Sequence, residues 1–185
     1  MRFTALTHVQ LPCEFRRVLP GDTYRDGRQY LPTLMLAPQT RAQVAIPMHT
    51  LAIVDRHHVV DLNTVGHEGV AQLVLLLSPF MVQNAPYQQG FCDVGSAAQV
   101  PRVYGQVTHV ATWEIPQTPL PYQSLYCEFV MDVGGGTVGV RTHVSAPQLA
   151  DKIGVSTLRV GDWVVVPRPR IDILGFVPTH ADTTM

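Results

Sequence analysis

The chain has 185 residues, 46% of them hydrophobic and only 15% charged, with a net charge of −1 at neutral pH. That length suits one sizeable domain or two small ones, with a core large enough to stand without disulfide or metal staples. A strong phosphate-driven grip on nucleic acid is argued against, since the 13 basic residues include only one lysine, Lys152, and divide as 7 basic with 7 acidic before residue 100 and 6 with 7 after it. A local arginine stripe remains open. So low a charge content leaves a surface of Gln, Thr, Pro, Gly and His, either an ordinary exterior or one covered by partners in an assembly.

The first stretch, MRFTALTHVQLPCEF, alternates apolar and polar residues where a signal peptide would be continuously apolar, so a cytoplasmic protein is expected. Fifteen prolines and fourteen glycines cut the sequence into short runs rich in Val, Thr, Leu and Tyr, the punctuation of a mainly β protein. Strands are expected at 2–11, 15–19, 30–36, 42–46, 50–54, 58–62 and 71–77, with turns at Pro20-Gly21-Asp22 and Arg25-Asp26-Gly27. Residues 1–82 would then form a β-rich sandwich or meander. The apolar run 73–77 is closed by Ser78 and Pro79 and is far too short to span a bilayer. Residues 83–100 are small, polar and broken by Pro and Gly, and are expected to be a linker or long loop.

The second half has clearer periodicity. Val103, Val107, Ala111, Trp113 and Ile115 mark one face of a strand over 103–115, and Leu125, Cys127, Phe129, Met131 and Val133 one face of a second. Gly134, Gly135 and Gly136 make a turn into a third strand over 138–144. Ser145 as cap, Pro147 in the first turn and Gly154 at the end predict one short helix over 146–154. Strands over 163–166 and 170–177 follow, with 179–185 as a tail. This β-β-β-α-β-β order, with a glycine turn after the second strand and a Gly-Asp step into the fourth, resembles the OB fold over residues 101–178. The resemblance implies a five-stranded barrel with one short helix.

OB barrels usually bind on strands two and three, between the loops after strands one and four. Carried onto this sequence, the resemblance implies a face with Tyr126, Arg141 and His143, flanked by Tyr122 on one side and by Arg168 and Arg170 on the other. Rings that stack on bases and guanidinium groups that hold phosphates suit single-stranded nucleic acid. Glu128 and Asp132 on the same strand oppose this, because carboxylates repel a phosphate backbone. Tyr126 reads equally well as a plain surface residue.

Chemistry-bearing motifs are few. Cys13, Cys92 and Cys127 are odd in number and widely spaced, and read as small buried residues with neither a disulfide nor a zinc site among them. Trp113 and Trp163 are expected to fill or rim the barrel. Asp55, Arg56, His57, His58, Asp61, His67 and Glu68 include metal-binding and proton-moving types, but no His-x-His or H-E-x-x-H spacing joins them, and a solvated turn is the better reading. No nucleophile elbow, Walker loop or dinucleotide fingerprint is present. The expectation is a non-enzyme without cofactor or metal.

A second resemblance points elsewhere. Val18-Leu19-Pro20-Gly21-Asp22-Thr23-Tyr24 is similar to a stretch in the coat proteins of some small icosahedral phages, where it precedes a strand of a single jelly roll. It implies a self-associating capsid subunit located in the virion, and it agrees with the short β-runs, the near-zero net charge and the chain length. Two readings therefore stand: a binding module for single-stranded nucleic acid, and a structural or assembly subunit.

Overall fold

A computed structural model describes residues 7–28, 30–56, 58–76, 79–95, 100–110, 129–142 and 149–179. The described residues are mainly β, with one short α-helix among them. Strand β1 (Leu11–Leu19) follows a plain period of two: Val9, Leu11, Cys13 and Phe15 are fully buried, while Pro12 and Glu14 between them are half-exposed. Of the strand expected at 2–11, residues 2–6 lie outside the described residues and 7–10 form no strand; β1 instead begins at Leu11 and runs through the expected gap before 15. Pro12 does not end it, because its carbonyl still accepts the Gln39 N–H at 2.9 Å. A bulge between Phe15 and Arg17 shifts the register against β2 (Thr33–Pro38), which pairs in turn with β3 (Leu51–Val54).

Two further expected strands are not formed. Residues 42–46 contribute only a bridge from Gln43 to Gln89, with a second bridge from Pro47 to Cys92 just beyond. At 58–62 the chain turns instead, because the buried Asp55 carboxylate accepts the N–H groups of Val59 and Val60 at 3.2 and 3.0 Å. Asp61 then caps a 3-10 turn over Leu62–Thr64. Local carboxylate-to-backbone bonds here outweigh the β preference of Val59 and Val60.

Strand β4 (Glu68–Leu76) is the centre of the sheet. Its first residues pair antiparallel with β1, and along its length it pairs with β11 (Arg170–Pro178). Leu73 and Leu75 join the main core, while Val74 and Leu76 face a smaller cluster with Val9 and Val130. A strand buried on both faces needs a continuous apolar run, and Leu73 to Leu76 supplies it.

Beyond β4 come β5 (Met81–Val82), β6 (Gly90–Cys92), β7 (Arg102–Val110), β8 (Phe129–Asp132), β9 (Thr137–Arg141), helix α1 (Leu149–Ile153) and β10 (Trp163–Pro167). Strands β7, β8 and β9 form the expected meander. The glycine turn is also as expected: Gly134 and Gly135 take φ of 99° and 103°, and Asp132 Oδ1 accepts their N–H groups at 2.8 and 3.1 Å. The strand portions expected at 111–115 and 125–128 lie outside the described residues, as do Trp113 and Cys127.

The ladders do not draw a separate, closed five-stranded barrel from 101–178. Strand β10 returns to β7, as an OB fold requires of its fourth and first strands. However, β9 lies parallel to β4, and β11 pairs with β4 on the other side, so a strand of the first half stands between the expected third and fifth barrel strands. The eleven-stranded mixed sheet runs β3-β2-β1-β4-β9-β8-β7-β10-β5, with β11 beside β4 and β6 beside β7. One hydrophobic core takes Leu11, Phe15, Leu73 and Phe80 from the first half and Val103, Phe129, Val164 and Ile173 from the second.

Between the halves, β6 pairs with β7 inside the 83–100 segment, and Gln83 is buried with its amide bonded to Val164 O at 2.7 Å and Gln88 O at 3.1 Å. Cys13 and Cys92 are buried free thiols. Burial pushes the Cys13 thiol up to about 11. Native protein at pH 8 is expected to leave Cys13 unalkylated by iodoacetamide over hours, and labelling there as fast as in urea, read by peptide mass spectrometry, would contradict its burial.

Candidate functional site

Of the six residues on the expected binding face, Tyr122, Tyr126 and His143 lie outside the described residues, as does His57 of the histidine cluster. Arg141 ends β9 and is half-buried. Arg168 is exposed in the turn between Pro167 and Pro169, at a positive φ of 47° that non-glycine residues rarely take. Arg170 opens β11 and points back into the protein: its Nε lies 3.1 Å from Asp172 Oδ1, and its Nη2 donates to Oδ2 at 3.1 Å. Asp172 is 1% exposed, and Arg56, just past β3, reaches its Oδ1 at 3.7 Å.

This buried carboxylate between two arginines was not singled out from the sequence. Its signal was available: residues two apart on a strand share a face, so Arg170 and Asp172 were bound to be neighbours. The pair neutralises much of the charge that Arg170 would offer a phosphate. Arg56 and Asp55, taken from the 55–68 cluster, hold β11 and the 58–60 turn respectively, which is a structural use of both. Among the described residues no group of three or more His, Cys, Asp or Glu is placed to hold a metal ion.

A shallow cleft of about 350 Å³ opens beside the glycine turn, lined by Thr7, His8, Gln10, Asp132, Gly136 and Thr137. Its polar groups bind one another: the Thr137 hydroxyl accepts the Gln10 N–H at 2.9 Å and donates to the His8 carbonyl. The Asp132 carboxylate serves the turn, and the His8 ring stacks on His109 at 3.8 Å. The described residues that line the cleft include no arginine to hold an anion.

The loop between β1 and β2 carries the stretch that resembles phage coat proteins. Val18 and Leu19 end β1, and the chain crosses itself where the Tyr30 N–H bonds to the Asp22 carbonyl at 2.8 Å. Glycine is needed at 21 because a Cβ there would lie 2.0 Å from the Tyr30 carbonyl oxygen. Tyr24 and Tyr30 stack at 3.6 Å on the exposed side, with the Arg28 guanidinium 5.9 Å above the Tyr24 ring. The Arg28 partner holds the Asp26 carboxyl below its ordinary value, and the hydrogen bond with Tyr24 raises the Tyr30 phenol.

The chain matches no family model, no curated protein and no solved structure. Function therefore rests on the molecule's own surfaces. No helix among the described residues is long and apolar enough to cross a membrane. Exposed large apolar side chains among the described residues are Leu19, Tyr24 and Tyr30 at and beyond the end of β1, Val59, Leu62 and Val65 around the 3-10 turn, Met81, Val82 and Tyr87 at and after β5, and Ile46, Val160 and Val177 elsewhere.

Proposed function

We propose that this chain is a non-catalytic assembly subunit, a coat protein of a virus particle being the sharpest form of the reading. The observation that carries it is the number of exposed large apolar and aromatic side chains, among them Tyr24, Tyr30, Met81 and Tyr87, on a protein with only 15% charged residues. A surface poor in charge and carrying many exposed apolar and aromatic side chains suits one that partners cover. The stretch from Val18 to Tyr24 adds support, since it leads into β2 here and into a jelly-roll strand in the phage coat proteins it resembles.

An OB-type module for single-stranded nucleic acid is the second reading, favoured by the return of β10 to β7 after the meander and helix. In that reading Tyr122, Tyr126, Arg141, His143, Arg168 and Arg170 are the contacts. The ion pair between Arg170 and Asp172 weighs against it.

Light scattering at several protein concentrations, with and without a mixed-sequence single-stranded oligonucleotide at low salt, separates the two. Mass that rises with protein concentration and ignores the oligonucleotide is the expected result. A monomer that shifts only with the oligonucleotide, and reverts in high salt, would replace the assembly subunit by the nucleic-acid module.

A further inference from the structure

Two imidazoles lie face to face beside the glycine-turn cleft. His8 stacks on His109 of β7 with ring centroids 3.8 Å apart and planes 22° from parallel, and both residues are exposed. The stack helps to fasten the Thr7–Gln10 segment to the sheet. Thr137 on β9 donates its N–H to the Gln10 carbonyl at 2.8 Å, and its hydroxyl bridges the Gln10 N–H and the His8 carbonyl. Between these ties Val9, fully buried, joins the smaller apolar cluster with Val74, Leu76 and Val130. His109 is in register with Val130 of that cluster.

The charges around the pair do not match two positive rings. On the cleft side Asp132 supplies one carboxylate, and its Oδ1 already accepts the Gly134 and Gly135 N–H groups. On β9, Arg141 follows two residues after Gly139, which is in register with Val130, and it adds positive charge. The turn that bonds to Val107 carries Arg159 and Asp162, of opposite sign. Strand β4, which packs with Val9, has only Glu68, at its far end. On β11 Arg170 pairs with Asp172, and on β1 Arg16 pairs with Glu14.

We propose that the His8–His109 stack is an acid-sensitive fastener, which holds the Thr7–Gln10 segment at neutral pH and lets it open when both rings carry a proton. An imidazole changes its charge between about pH 5 and 8. A neutral ring stacks on a neutral or a charged one, whereas two charged rings 3.8 Å apart repel each other. The closed pair therefore takes up one proton readily, and a second only at a cost that opening removes. Since the open form binds more protons than the closed one, falling pH favours opening. Both rings are exposed, so the repulsion is that of two charges in water, about fivefold in the equilibrium at about 4 Å. Opening withdraws Val9 and uncovers Val74 and Val130. The inference goes beyond the assembly reading and does not depend on it.

The test is hydrogen exchange of the full chain at about pH 7.5 and about pH 5, corrected for the intrinsic effect of pH on exchange. It is read at the Gln10 and Thr137 amides, the two whose bonds close the segment. Protection there is expected to fall about fivefold at the lower pH, while amides of the β7–β10 ladder keep theirs. His109→Phe and His8→Phe each keep a ring that stacks but cannot be charged, and should hold protection within about twofold over the same range. Unchanged protection in the native chain would overturn the fastener. So would an equal loss in both phenylalanine variants, which would put the acid-sensitive group elsewhere, or an equal loss along the β7–β10 ladder, which would make the change one of the whole fold. Should one variant fail to fold, the other still decides.

Discussion

Asp172→Ala is expected to destabilise the protein by about 3 kcal/mol, the low end of what removing one partner from a buried ion pair costs. The carboxylate is 1% exposed, so its removal leaves Arg170 and Arg56 facing each other across an emptied site. The low end applies because the arginine side chains are 30% and 44% exposed and can take up water. Arg56→Ala should cost less than about 1 kcal/mol, since that contact is long and partly solvated. Joint replacement, Arg170→Met with Asp172→Leu, should recover much of the loss, because a buried pair is readily replaced by apolar groups of similar volume. Urea unfolding of the four chains checks the order. Equal stability of Asp172→Ala and the native chain would mean the pair holds nothing together.

The cluster bears on one residue of the nucleic-acid face expected from the sequence, Arg170. Arg168 and Arg170 are adjacent to a strand turn and look available when side chains are counted by proximity along the chain. Strand geometry puts Asp172 on the same side as Arg170, and the guanidinium donates to that carboxylate at 3.1 Å.

What was legible was local. The alternation from Val103 onward, the glycine turn, the short helix ending before Gly154 and the last two strands all depend on neighbours within a few residues, and α1, β7, β8, β9, β10 and β11 lie within or close to the expected spans. The role of β4 was not legible. Its apolar run marks a strand buried on both faces but does not say that β9 and β11 flank it, since that pairing joins residues about 65 and 100 positions apart in the chain. Residues 42–46 and 58–62 had strand-like composition. They turned aside because Asp55 and the bridges to Gln89 and Cys92 satisfy the backbone in other ways.

Phe129→Ala is expected to cost about 3–5 kcal/mol, the range for emptying a fully buried phenylalanine site, and to weaken both halves of the chain together. Phe129 is 0% exposed at the start of β8 and meets Phe80, also fully buried, edge to face with ring centroids 5.0 Å apart. Phe80 follows β4 in the first half, so the ring pair crosses the same seam as the β4–β9 ladder. Two probes placed on opposite sides of that seam read the consequence. Trp163 fluorescence, read in a Trp113→Phe background, follows β10, and alkylation of Cys13 follows β1, where the thiol is fully buried. In a shared core the two signals change at the same urea concentration, and Phe129→Ala moves both midpoints down by the same amount. If the variant lowered the Trp163 midpoint and left Cys13 protected to the native midpoint, the halves would unfold separately, and the core drawn from both would be a contact between two units, each stable alone. The pairing of β4 with β11 along most of its length argues for the coincident result, because unfolding of either half strips the central strand of a neighbour and exposes Leu73, Leu75 and Ile173 at once.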